Sequence, residues 1–158
     1  MSSTWTYEIE SPVSASRLFK AALVDWHNLG PKLAPHIIVS AGSVEGDGSV
    51  GSVREFKFTS AVPFSHIKER LDFADHEKFE CKQTVVEGGG IGVSIESMST
   101  HIKIEPNSKG GCVCKVVQTC KLLPGVKIEE EQAKTKETAS SIIKTAEAYL
   151  VANPDAYV

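Results

Sequence analysis

Residues 129–150 read EEEQAKTKETASSIIKTAEAYL, and the fold turns on how this stretch is read. Ala133, Ala139, Ile142, Ile143, Ala146 and Leu150 recur at helical spacing on one face. Glu129, Glu130 and Glu131 stand where the helix macrodipole favours acid in a first turn. The pattern predicts one long helix that begins after Pro124-Gly125 and stops near Asn153-Pro154. Its apolar face is built from small residues. Alanines and Thr138 do not fill a concave surface as Phe or Leu would, so two cores stay open: one packed to normal density, and one in which the helix stands away from what it covers.

What the helix covers is legible upstream. Trp5, Tyr7 and Ile9 alternate with Thr6, Glu8 and Glu10, the period of a strand with one buried face, and Pro12 ends it. Ser14 caps a predicted helix carrying Leu18, Phe19, Ala22 and Leu23, and a second short helical stretch from Asp25 is expected to break at Gly30-Pro31. Then Arg54, Phe56 and Phe58 face one way, with Val53, Glu55 and Lys57 the other. Further strands are predicted over 64–72, 79–86, 94–105 and 112–122, separated by Asp75-His76-Glu77, Gly88-Gly89-Gly90 and the segment 107–111. Such short connections make an antiparallel meander. The expectation is a single α+β unit over residues 1–158, a curved antiparallel sheet wrapped around the last helix.

Composition narrows the function. The 158 residues are 41% hydrophobic and 23% charged, which is enough chain to enclose a core and a cavity without metal or disulfide. Seventeen basic against 20 acidic residues give a net charge of -3 and no cationic stripe, so no specific nucleic-acid partner is expected. The segment Met1–Thr6 lacks a basic, then apolar, leader, and no apolar run approaches the roughly 18 residues of a membrane span. A monomer in the cytoplasm is expected, with the nucleus as the alternative compartment and no membrane partner. Cys81, Cys112, Cys114 and Cys120 match neither zinc nor redox spacing and read as small core residues; no metal and no cofactor are expected.

Gly46-Asp47-Gly48-Ser49-Val50-Gly51 fits G-x-G-x-x-G in its letters, but a strand follows where a dinucleotide fingerprint needs a helix. The segment reads instead as a hairpin in which Gly46, Gly48 and Gly51 take positive φ, with N–H groups able to form a weak anion nest.

Five ordered motifs carry a family resemblance: Asn28-Leu29-Gly30-Pro31-Lys32-Leu33-Ala34-Pro35, the segment 44–52, Lys68-Glu69-Arg70-Leu71-Asp72, Val86-Glu87-Gly88-Gly89 and Ala146-Glu147-Ala148-Tyr149-Leu150. Together they resemble the intracellular class-10 pathogenesis-related plant proteins, the family of the birch-pollen major allergen. The resemblance implies a seven-stranded sheet gripping the long helix, two short helices in a V after the first strand (a helix-grip, START-like fold), and a large internal cavity for amphipathic ligands. With Phe56 and Phe58 inward, strand parity then adds Phe64, His66, Cys81, Gln83, Met98, Thr100, Ile102, Cys114, Val116, Gln118 and Cys120 to the lining, with Thr138 and Ile142 from the helix. His66 and Cys81 stand where relatives often carry tyrosines, which should enlarge the cavity. Such a wall suits flavonoids, other phenolics, or hormones such as cytokinin and abscisic acid, carried or stored in a plant under stress or attack. A ligand burying about 300 Å² of apolar surface gains about 7 kcal/mol gross, which corresponds to micromolar binding once association costs and a few hydrogen bonds are included.

The resemblance also carries enzyme readings. Arg54, Glu96, Glu147 and Tyr149 match positions linked in the family to ribonuclease activity, and two carboxylates can serve as base and acid. The bland reading makes Arg54, Glu96 and Glu147 a polar cluster supporting the glycine loop. A condensing enzyme like norcoclaurine synthase would need a lysine and a tyrosine that the predicted wall lacks; His66 is its candidate proton shuttle or, more plainly, a hydrogen-bonding wall residue. The gate of the related abscisic-acid receptors is missing, since Val86-Glu87-Gly88-Gly89-Gly90-Ile91-Gly92 occupies that connection.

Overall fold

The computed structural model describes residues 2–158. Strand β1 (Ser2–Ser11) leads into helix α1 (Ala15–Phe19), a π-helical continuation over Lys20–Val24, and helix α2 (Trp26–Leu33). Six strands follow: β2 (Ile38–Glu45), β3 (Val53–Phe58), β4 (His66–Asp75), β5 (Glu80–Gly88), β6 (Ile95–Pro106) and β7 (Cys112–Leu122). Helix α3 (Ile128–Ala152) comes last. The strands form one seven-stranded antiparallel sheet in the order β1-β7-β6-β5-β4-β3-β2. From β2 onward each strand pairs with the next, as short connections require; β1 joins β7 because the short helices carry the chain across.

Local chemistry sets these elements. Along β1, Trp5, Tyr7, Ile9 and Ser11 are buried and the residues between them exposed, so one face meets the core and the other water. Ser14 caps α1, its Oγ accepting from Arg17 N at 3.4 Å. The π turn closes with Asp25 N donating to Lys20 O at 2.8 Å, and at Asp25 the backbone leaves helical geometry, which separates the first helical stretch from α2. The expected break at Gly30-Pro31 does not occur: α2 runs through Pro31 to Leu33. Pro31 has no N–H to donate back into the helix, a single loss in its last turn, and Gly30 O still accepts from Ala34 N at 2.8 Å. Gly30 is there for contact, since a Cβ would stand 3.0 Å from both Trp26 and Ile38.

The core is unevenly distributed along α3. Ile143, Ala146 and Leu150, all in its C-terminal half, are buried, together with Leu18, Phe19, Ile104, Cys112 and Cys114 from α1, β6 and β7. In the N-terminal half only Glu131 is buried, and Ala133, expected on the apolar face, is exposed. Helix α3 lies along β1: Trp5 Nε1 donates to Thr135 Oγ1 at 3.2 Å, and Lys144 Nζ donates to Glu10 O at 2.8 Å. Past its end the chain is clasped by the short helices. Arg17 donates to the carbonyls of Leu150, Asn153 and Ala156 at 2.8–3.0 Å, satisfying acceptors that a helix terminus leaves open, and Tyr157 OH donates to Asp25 Oδ2 at 2.5 Å.

Candidate ligand-binding site

Register defines the concave face. Trp5, Gln118, Thr100, Gln83 and Leu71 are successive cross-strand partners, so they share one face, and Trp5 fixes it as the face toward α3. Met98, Ile102, Cys81, Cys114, Val116 and Cys120 lie on the same face by the same ladders. On β3 and β4 the inward pairs are Arg54 with Glu69 and Phe56 with Ile67. His66 pairs with Lys57 on the convex face, where its Nε2 lies 2.8 Å from Glu87 Oε2. This corrects the inward placement of His66: the turn before β4 shifts parity by one, and Ile67, Glu69 and Leu71 point in. Phe64 precedes β4 and packs edge-to-face on Phe58, ring centroids 5.7 Å apart.

The wall is sealed on one side and accessible on the other. Cys114, Val116, Gln118 and Cys120 on β7 are buried, whereas inward-facing Phe58, Gln83, Met98, Thr100 and Ile102 are only half-buried, as is Ile142 on α3. Thr138 is exposed, its hydroxyl donating to Lys134 O at 2.9 Å.

At one end of this face lies a pocket of about 90 Å³. Its roof is Phe19, Leu23, Val24 and His27 from the short helices, and its floor includes Ser52, Arg54, Glu69, Leu71, Ala74, Cys81 and Gln83. That volume is far less than the large cavity the resemblance implies. Of the expected lining, only Cys81 and Gln83 border it; Phe56 is buried beside it, under Arg54.

Arg54 is its polar anchor. Its Nη1 donates to Leu23 O at 2.8 Å and lies 3.4 Å from His27 Nδ1, and its guanidinium stands 5.1 Å from the centre of the Phe56 ring. With the Gln83 amide turned so that both its atoms are satisfied, the oxygen accepts from Arg54 Nη2 at 3.2 Å and the nitrogen donates to Glu69 Oε2 at 2.9 Å. A cation and a carboxylate are thus joined through a neutral amide, which leaves donors and an acceptor facing the cavity. Burial, and then the Arg54 charge, lower the pKa of His27 against an opposing pull from Asp25, so the imidazole is neutral and can accept from Arg54. Burial pushes the Cys81 thiol up to about 12. A second polar group spans the sealed side: Gln118 Oε1 accepts from Trp5 Nε1 and lies 3.1 Å from Tyr7 OH, which is also 3.2 Å from Thr135 O. Gln118, expected as a polar point of the wall, ties β1 to β7 instead.

Glu69, Leu71, Leu23 and His27 are pocket residues that the sequence reading passed over. The signal for two of them was present, since Ile67, Glu69 and Leu71 alternate with Lys68, Arg70 and Asp72. The residues of the ribonuclease reading are scattered. Arg54 is in the pocket. A bulge between Ile95 and Ser97 sets Glu96 against Lys121 at 3.0 Å, and Glu147 pairs with Lys144 at 3.0 Å. Tyr149 borders an open groove of about 610 Å³ along α3, with Leu33 and Thr145. Nor do Arg54, Glu96 and Glu147 bond to the glycine loop. That loop holds itself: Gly46, Gly48 and Gly51 have φ of +80, +97 and +95, Gly48 N donates to Ser52 Oγ, and Gly51 N donates to Leu71 O. Those amides are already engaged, so the loop offers little of an anion nest.

A seven-stranded antiparallel sheet curved about a long terminal helix, with two short helices at one end, defines a helix-grip domain. The chain belongs to the pathogenesis-related protein Bet v 1 family, whose model matches residues 1–153, and within it to the class-10 proteins. It is 55% identical over 158 residues to pathogenesis-related protein 1 of Asparagus officinalis, covering 99% of each chain. The crystal structure of Ara h 8.0201 superposes with a TM-score of 0.86 at 30% identity, covering 97% of this chain and all of that one. Norcoclaurine synthase from Thalictrum flavum, in complex with dopamine and hydroxybenzaldehyde, shares the fold at a TM-score of 0.77 and 22% identity, covering 97% and 88% of the two chains. The seven strands, three helices and family expected from the sequence are those found. Ligand binding is the general role of this family. Among the described residues no helix is long and apolar enough to cross a membrane.

Proposed function

We propose that the chain is an intracellular carrier or store for small amphipathic plant metabolites in defence and stress, held between the concave face of the sheet and α3. One observation carries this reading: Phe58, Met98, Thr100 and Ile102 face the helix and yet keep accessible surface. Inward apolar groups that their own helix leaves open gain about 25 cal/mol per Å² when a ligand covers them. Arg54, Gln83 and Glu69 at one end would orient a hydroxyl, carbonyl or carboxylate of that ligand, whether a flavonoid, a cytokinin or abscisic acid. Because the pocket is small, a ligand would extend beyond it along the accessible wall and turn the flexible Met98 side chain aside.

The test is titration with a fluorescent apolar probe such as anilinonaphthalene sulfonate, followed by displacement with a flavonoid, a cytokinin and abscisic acid. Micromolar binding is expected, and Met98→Trp, which fills the accessible wall, should weaken it at least about tenfold while circular dichroism stays unchanged. Equal probe affinity in Met98→Trp would refute the placement.

A further inference from the structure

The convex face of the sheet carries a cluster that the ligand site does not use. Glu55 on β3, His66 on β4 and Glu87 on β5 come from three adjacent strands, and one donor atom from each lies within 4.8 Å of the others. The ladders explain the meeting: Glu55 pairs with Lys68 and Lys68 with Glu87, while His66 sits two residues before Lys68 on the same face. Between these positions His66 Nε2 already approaches Glu87 Oε2 at 2.8 Å.

We propose that Glu55, His66 and Glu87 form a zinc site on this outer face. One imidazole and two carboxylates are a donor set that zinc accepts, with a water completing the tetrahedron, whereas calcium and magnesium prefer oxygen alone. Zinc at about 2.1 Å from each donor needs those donors roughly 3.4 Å apart, a closure that two flexible glutamates achieve by rotating their side chains. His66 is prepared for the role. Its Nδ1 lies 3.3 Å from Ser65 Oγ, so a proton held on Nδ1 is directed to the hydroxyl and leaves the Nε2 lone pair for the ion. Lys68 Nζ lies 3.1 Å from Glu87 Oε2, and zinc would displace that ammonium.

The site would also act on the neighbouring loop. Gly89 N donates to His66 O at 2.7 Å, and a Cβ on Gly88 would stand 2.3 Å from the same oxygen, so the end of β5 is fitted directly onto His66. An ion bridging β3, β4 and β5 would staple the base of the Gly88–Gly92 connection.

The experiment is calorimetric titration of the untagged full chain with zinc at pH 7.5, repeated with calcium. One zinc site of micromolar affinity, a rise in Tm with zinc, and no calcium heat are expected. His66→Gln and Glu87→Gln should each weaken zinc at least about tenfold, with His101→Gln, which pairs with Glu80 on the same face, as the control that leaves it unchanged. All three positions are partly solvent-exposed, and circular dichroism verifies that each variant folds. Absence of a zinc isotherm, equal zinc affinity in His66→Gln, or calcium binding as tight as zinc would overturn the proposal.

Discussion

The two halves of α3 meet the same sheet differently. The C-terminal half puts Ile143, Ala146 and Leu150 into a core with Leu18, Phe19, Ile104, Cys112 and Cys114, where almost nothing is accessible. The N-terminal half presents Ala139 half-buried and Ala133 and Thr138 exposed, Ile142 just beyond it is half-buried, and Met98, Thr100 and Ile102 on the concave face of the sheet are half-buried too. One helix therefore packs in two ways. Ile143 and Leu150 seat its C-terminal part in the core, whereas Ala133, Thr138 and Ala139 leave its N-terminal part less covered.

The largest effect that tests this contrast is a pair of truncations. Leu150→Ala should cost about 2–5 kcal/mol in urea unfolding, because a fully buried leucine leaves a void, whereas Ile142→Ala should cost about 1 kcal/mol or less. Equal costs would break the comparison. Next in size is Gln118→Ala, which removes the glutamine that Trp5 Nε1 and Tyr7 OH share and leaves each with Thr135 alone; a loss of about 1 kcal/mol is expected, against a near-neutral Thr100→Ala on the accessible wall. A smaller effect is a pH dependence of the pocket. The His27 pKa is lowered in the folded state, so the unfolded chain binds the proton more readily. The contribution of His27 is then fully present above about 6.5 and is lost as pH falls below it. Urea midpoints should decline over that window in the parent protein and flatten in His27→Gln. The smallest readout is thiol labelling: with Cys81 near 12 and Cys120 near 11, native protein at pH 8 should react slowly with a thiol reagent and all four cysteines rapidly once unfolded. Rapid labelling of native Cys81 would mean that the pocket opens more often than its size implies.

The sequence disclosed these regions unequally, for physical reasons. β1 and β7 were legible because each has one sealed face, so Trp5, Tyr7 and Ile9 alternate cleanly, and β7 spans 112–122 as expected. The long helix was legible from its small-residue face, although Ala133 lies outside the buried stripe. Parity carried from β3 across the turn failed at His66, because a loop resets the count while periodicity inside β4 does not. The pocket was the least legible part. Arg54, Glu69 and Gln83 are far apart in the chain and meet only through register, and no local pattern reports that a glutamine will bridge a cation and a carboxylate. His27 enters because the backbone bends at Asp25.

The clasp that follows α3 ties two distant parts of the molecule together. Arg17 and Asp25, which hold Leu150, Asn153, Ala156 and Tyr157, belong to the same pair of short helices that roofs the pocket through Phe19, Leu23 and His27. A change that loosens residues 153–157 would therefore be felt first in the pocket roof, while Ile143 and Leu150 stay packed in the core.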